Sequence, residues 1–145
     1  MKKTNNRKSI SQQFGNIKSK YRHFKVAMSR NSLVVNGSLR PTSRSESYNF
    51  ILEYTFNKNP KVRIISPKLK RNSKGDKIPH MYGQKHLCLH MPKYNEFKSS
   101  DFLSEKIIPW ISLWLYYYEK WHITDKWLGG GEHPVEKRRK NEKKR

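Results

Sequence analysis

Residues 48–56 (YNFILEYTF) place Tyr48, Phe50, Leu52, Tyr54 and Phe56 at alternate positions. Successive side chains of an extended chain point to opposite faces, so these five share one face, and a row this apolar must lie against a core. One strand cannot supply that core, and the flanking sequence provides partners. Residues 32–39 (SLVVNGSL) read as a strand interrupted by Gly37, and residues 61–65 (KVRII) as another, stopped at Ser66-Pro67. Turn-forming stretches, residues 41–47 (PTSRSES) and 57–60 (NKNP), separate them. Such short connections predict an antiparallel meander of at least three strands.

The cover for that sheet is predicted at the two ends of the chain. From Ser11, the residues Phe14, Ile17, Tyr21, Phe24 and Met28 recur at steps of three and four, an apolar stripe on a basic helix, with Gly15 weakening its first turn. Further on, Ser100 or Asp101 suits a helix cap. Pro109 then interrupts the apolar pattern, which predicts a kink or a second helix start there. Residues 110–121 (WISLWLYYYEKW) are apolar nearly all round, as in a helix buried on most sides. Gly129-Gly130-Gly131 ends the pattern. Helix, meander, loop and helix make an α+β fold, with helices packed on an antiparallel sheet.

At 145 residues the chain is long enough for one domain. Its formal net charge of +21 points first to nucleic acid or another acidic surface. The excess is uneven. Residues 1–45 hold 11 Lys and Arg and no acid, and residues 137–145 hold seven basic residues and one acid. The stretch between them is only mildly basic. The expected organisation is a basic, disordered N-terminus over residues 1–10, a folded domain over 11–135, and a basic tail over 136–145. Weak, nonspecific, salt-sensitive nucleic-acid binding through the basic termini is expected. No signal peptide is visible, and the most apolar run, 107–118, is too short to span a membrane. The sequence reads as soluble and cytosolic, with no membrane partner and no cofactor.

A single cysteine, Cys88, excludes an internal disulfide and any multi-cysteine zinc site. If residues 85–90 are extended, His86, Cys88 and His90 point one way, while Leu87 and Leu89 point into the core. Two imidazoles and Lys85 beside the sulfur would lower its pKa and favour the nucleophilic thiolate. The plain alternative is a small buried hydrophobe. The same row could hold a metal if His80 or His133 completed the set, a weaker reading than histidines that are exposed or hydrogen-bonded. Trp110, Trp114, Tyr116, Tyr117, Tyr118 and Trp121 read chiefly as core, with one or two rings left over for a partner groove. Residues 129–134 (GGGEHP) read either as an ordered loop near Cys88 or as a helix stop.

Residues 39–92 resemble the ubiquitin-conjugating (E2) fold. Tyr54-Thr55-Phe56 and Pro60-Lys61-Val62 look like its Tyr-Pro-Phe…Pro-x-Val segment, and a His-led loop runs into Leu87-Cys88-Leu89 as E2 sequences run from His-Pro-Asn to their catalytic Cys-Leu. A closer resemblance, over roughly residues 30–135, is to the E2-like proteins of bacterial type II CBASS anti-phage systems. It is carried by Leu87-Cys88-Leu89, by Ile107-Ile108-Pro109-Trp110, by the run from Trp114 to Glu119, and by the run from Trp127 to Pro134. The resemblance implies a UBC-like fold and an acyl transferase with Cys88 as nucleophile. It further implies a thioester with the C-terminus of a partner cGAS-like nucleotidyltransferase (CD-NTase), regulated by that conjugation. The sequence departs from the E2 pattern at His80-Met81-Tyr82, which has no Asn to stabilise an oxyanion. Backbone N–H groups, Tyr82 or His80 are the candidates to replace it, with His86 and His90 as further supporting residues. The rival readings are a basic nucleic-acid-binding domain and an inactive E2-like protein that only binds its partner.

Overall fold

Ser9 opens the first helix. Its hydroxyl accepts the Gln12 N–H at 3.1 Å, and the Gln12 side chain accepts the Ser9 N–H at 2.8 Å, a reciprocal capping box. The structure, a computed structural model, describes residues 6–90 and 96–129. Helix α1 spans Ile10–Lys20 and is followed by strands β1 (Lys25–Met28), β2 (Ser32–Leu39), β3 (Tyr48–Thr55) and β4 (Lys61–Ser66). A two-residue pair, β5 (Met81–Tyr82) and β6 (His86–Leu87), precedes helix α2 (Ile107–Thr124).

Helix α1 is shorter than the apolar spacing implied. It stops at Tyr21, whose ring stacks on Phe24 at 4.6 Å, and residues 25–28 pair with β2 instead. Steps of three and four over eight residues fit a turn plus a strand as well as a helix, and here the free edge of β2 decides. Met28, the last member of the predicted stripe, is exposed. The C-terminal helix also begins later than the Ser100 or Asp101 cap suggested. Asp101 instead caps a turn, accepting the Lys98 N–H at 2.8 Å. Helix α2 begins at Ile107, so Pro109 falls in its first turn, where no N–H is missed. It ends at Asp125, in the left-handed region at φ 63°, four residues before the glycines.

The four-stranded sheet runs β1-β2-β3-β4, antiparallel throughout. The alternation in β3 is realised: Tyr48, Phe50, Leu52 and Tyr54 are all buried on one face, beside Leu33, Val35 and Val62. Gly37 has a packing reason. A Cβ there would lie 2.7 Å from the Phe24 ring, so the strand is bare where that ring lies against it. Helix α1 packs on β1 and β2. Helix α2 contributes Ile107, Ile108, Ile111, Trp114, Leu115, Tyr118 and Trp121 to the core.

Two polar ties fix the helices. Glu119 accepts from Tyr48 Oη and Ser45 Oγ, both at 2.8 Å, which ties α2 to the β2–β3 turn. Gln13 is fully buried; its amide donates to the Asp101 carbonyl at 2.9 Å and accepts the Leu103 N–H at 3.0 Å. Replacing Gln13 by Ala strands both backbone groups, and should lower stability by about 2–4 kcal/mol in urea unfolding.

Candidate functional site

The segment carrying Cys88 is a tight hairpin. Gly83 and Gln84 both have positive φ, 58° and 56°, and the Lys85 N–H returns to the Tyr82 carbonyl at 3.0 Å. Two such residues form the turn whose twist matches a hairpin. Gln84 then fixes the tip. Its side chain accepts the Ile78 N–H at 2.9 Å and donates to the Ile78 carbonyl at 2.7 Å. Beyond β6 the Cys88 N–H crosses back to the His80 carbonyl at 2.9 Å.

That carbonyl has a second donor, the buried Trp114 Nε1–H, also at 2.9 Å. His80 holds it in place from the left-handed region, at φ 53°, a conformation that costs a non-glycine residue about 1 kcal/mol or more. The His80 ring is buried against Trp127, 5.2 Å between centroids. Trp127 in turn contacts Trp114 and Tyr117. Gly129 lies so close to Tyr117 that a Cβ would sit 2.7 Å from its ring. Residues 125–129 therefore fold back over α2 and brace the hairpin from behind. Residues 130–134 of the expected Gly129–Pro134 loop lie outside the described residues.

The sulfur faces the other way. Cys88 Sγ donates to Tyr82 Oη at 3.4 Å, and that hydroxyl donates to the His90 carbonyl at 3.4 Å. Cys88 is only 6% exposed, whereas Tyr82 is 40% exposed and caps it. Burial pushes the thiol above its ordinary pKa, and the Glu96 carboxylate adds to this while the Tyr82 hydroxyl opposes it. Burial likewise raises the Tyr82 phenol, with the Cys88 contact adding to the shift.

The expected row of His86, Cys88 and His90 is broken, because the strand ends at Leu87. His86 lies among Lys85, Lys61, Glu53 and Arg63, and burial with the neighbouring cations lowers its pKa. The His90 ring packs on Trp110 at 5.7 Å and Phe97 at 6.3 Å, its pKa lowered chiefly by burial. Its buried Nδ1 has no hydrogen-bond partner among the described residues. Neither imidazole supplies a positive charge to the sulfur, so the expected lowering of the thiol pKa is reversed. Tyr82 is the residue brought directly against Cys88; His80 and His90 approach it through main-chain carbonyls. Among the described residues no three His, Cys, Asp or Glu side chains group as a metal set. His133 lies outside the described residues.

Trp114 and Gln84 escaped the sequence reading. A Trp in an apolar helix registers as core, yet a buried indole N–H needs an acceptor, and that requirement was the available signal. The three-residue connection Gly83-Gln84-Lys85 lacks the Asn-Gly signature of a tight hairpin.

The family model for the type II CBASS E2 protein matches residues 13–134. The chain belongs to this family. A comparison with curated proteins finds no match. Membership in the type II CBASS E2 family accords with the α+β architecture, and it places Cys88 within the matched region. No helix among the described residues is long and apolar enough to cross a membrane.

Two measurements probe the site. Iodoacetamide alkylation of Cys88 should show a pH midpoint above the ordinary cysteine value, and Tyr82→Phe should move it higher still, because the hydroxyl favours the thiolate. Trp114→Phe removes one of the two donors on the His80 carbonyl, a bond of about 0.5–1.5 kcal/mol. Alkylation through local opening should then quicken by about two- to tenfold with the pH midpoint unmoved.

Proposed function

We propose that this CBASS E2 protein acts in the cytoplasm as an acyl carrier, with Cys88 forming a thioester with the C-terminus of a partner cGAS-like nucleotidyltransferase. The observation that carries this reading is the Cys88–Tyr82 pair. It sets the chain's one thiol beside a hydroxyl that can turn to donate to a thiolate, on a hairpin fixed from behind. The Cys88 thiolate attacks an activated acyl carbonyl at the partner's C-terminus, and the activating group leaves. An amine then attacks the thioester and the thiol is released, so the conjugate regulates the nucleotidyltransferase.

The arrangement is consistent with supporting roles for the neighbouring residues. The Cys88 N–H is committed to His80, which leaves the Tyr82 hydroxyl as the nearest described donor for an oxyanion in place of the missing Asn. His90 meets the pair through its carbonyl, which accepts from the Tyr82 hydroxyl. His80 acts through its carbonyl, and His86 contributes to the charged rim. Because the thiol is closed and protonated, partner docking must swing the Tyr82 ring off the sulfur while its hydroxyl stays within reach of the forming oxyanion.

The same closure favours a second reading, an E2-like protein that binds its partner without chemistry. Co-expression with the nucleotidyltransferase of its operon separates them. Acyl transfer gives a higher-mass adduct that is cleaved by thiol or hydroxylamine and lost in Cys88→Ala. Binding alone gives co-purification with or without Cys88 and no adduct.

A further inference from the structure

Residues 68–79 (KLKRNSKGDKIP) form a lysine-rich connection between β4 and the Cys88 hairpin. A stretch of this composition is ordinarily a solvated loop. Here its backbone is pinned along its length. The Lys70 N–H donates to Tyr118 Oη at 2.8 Å, and the Lys70 carbonyl lies 3.1 Å from His122 Nε2. Asn72 is 6% exposed and makes four bonds. Its Oδ1 accepts the Lys74 and Asp76 N–H groups, and its Nδ2 donates to the Asp76 and Asp125 carboxylates. Gln84 clamps Ile78 at the far end.

Fixing a twelve-residue loop costs conformational entropy, which these bonds offset. The outcome is that Lys68, Lys70, Arg71, Lys74, Lys77 and Lys85 project from a set frame, all on exposed residues. Of these, Lys74 reaches a carboxylate, Asp125 at 3.8 Å, and Arg71 donates to the Gly75 carbonyl. Lys68, Lys70, Lys77 and Lys85 have no carboxylate within ion-pair distance among the described residues. Asp76 is the loop's one acid, and it is bound to Asn72.

We infer that this loop, with Lys85, is a preformed docking platform for an acidic polypeptide surface, which it steers to Cys88. The inference rests on the acyl-carrier reading for the identity of the partner. Two features favour polypeptide over nucleic acid: residues 68–79 contain no aromatic side chain on which a base could stack, and the loop runs directly into the hairpin that holds the thiol. A rigid charge array gains on-rate from electrostatic steering, and the gain fades with salt.

The test is the triple variant Lys70→Glu, Lys77→Glu, Lys85→Glu, with association with the purified nucleotidyltransferase followed at low and high salt. The association rate at low salt should fall by about tenfold or more and lose its salt dependence, while Cys88 alkylation and the thermal midpoint stay unchanged. An unchanged rate and salt slope, with the wild-type adduct still forming, overturns the inference and leaves the function reading intact. Partner association retained while binding of a short single-stranded RNA is lost also overturns it, in favour of a nucleic-acid surface. If the wild type neither binds nor modifies the nucleotidyltransferase, the function reading fails. A labelled poly-glutamate peptide then decides the platform: binding that the variant loses supports it, and no binding overturns it.

Discussion

The His80 carbonyl accepts two buried N–H donors, one from the indole of Trp114 on α2 and one from the backbone of Cys88. This junction couples the helix that fills the core to the hairpin that presents the thiol. An unpaired donor in such a place costs more than the bond contributes, so the two donors hold each other's acceptor in position. The left-handed backbone of His80 is tolerated because the surroundings determine it: Trp127 covers the ring, and the two donors hold the carbonyl. The sulfur's environment then follows, since its main chain cannot shift without breaking a buried bond.

The sheet was the most legible part of the sequence. The parity of Tyr48, Phe50, Leu52 and Tyr54 fixes which face of β3 is buried and excludes a one-residue slip, and β2 and β4 follow from short turns on either side. The first helix was legible in kind but not in extent, because Tyr21, Phe24 and Met28 fit two local structures and only the pairing of β1 with β2 separates them. The Asp101 cap was the right residue type for a turn that does not continue into a helix.

The family was legible in the motifs around Cys88, and the electrostatics of the thiol were not. Parity arguments assume that the chain stays extended, and β6 ends one residue before Cys88. His86, in β6 itself, lies at the charged edge of β4, His90 beyond the strand enters an aromatic nest, and burial sets the thiol's pKa. The cap on the sulfur is Tyr82, six residues back across the hairpin, a contact that strand parity could not show. The family match supplies the biological setting, and the hairpin supplies the constraint that any chemistry there must meet.

The chain has four tryptophans, and three of them surround the cysteine segment: Trp110 lies on His90, while Trp114 and Trp127 lie around His80. Trp121 sits apart, against Tyr118 and His122. The molecule thus carries its own optical probe. Its ultraviolet emission comes mostly from rings that must rearrange when the hairpin moves, so unlabelled protein reports the state of its thiol site by light alone.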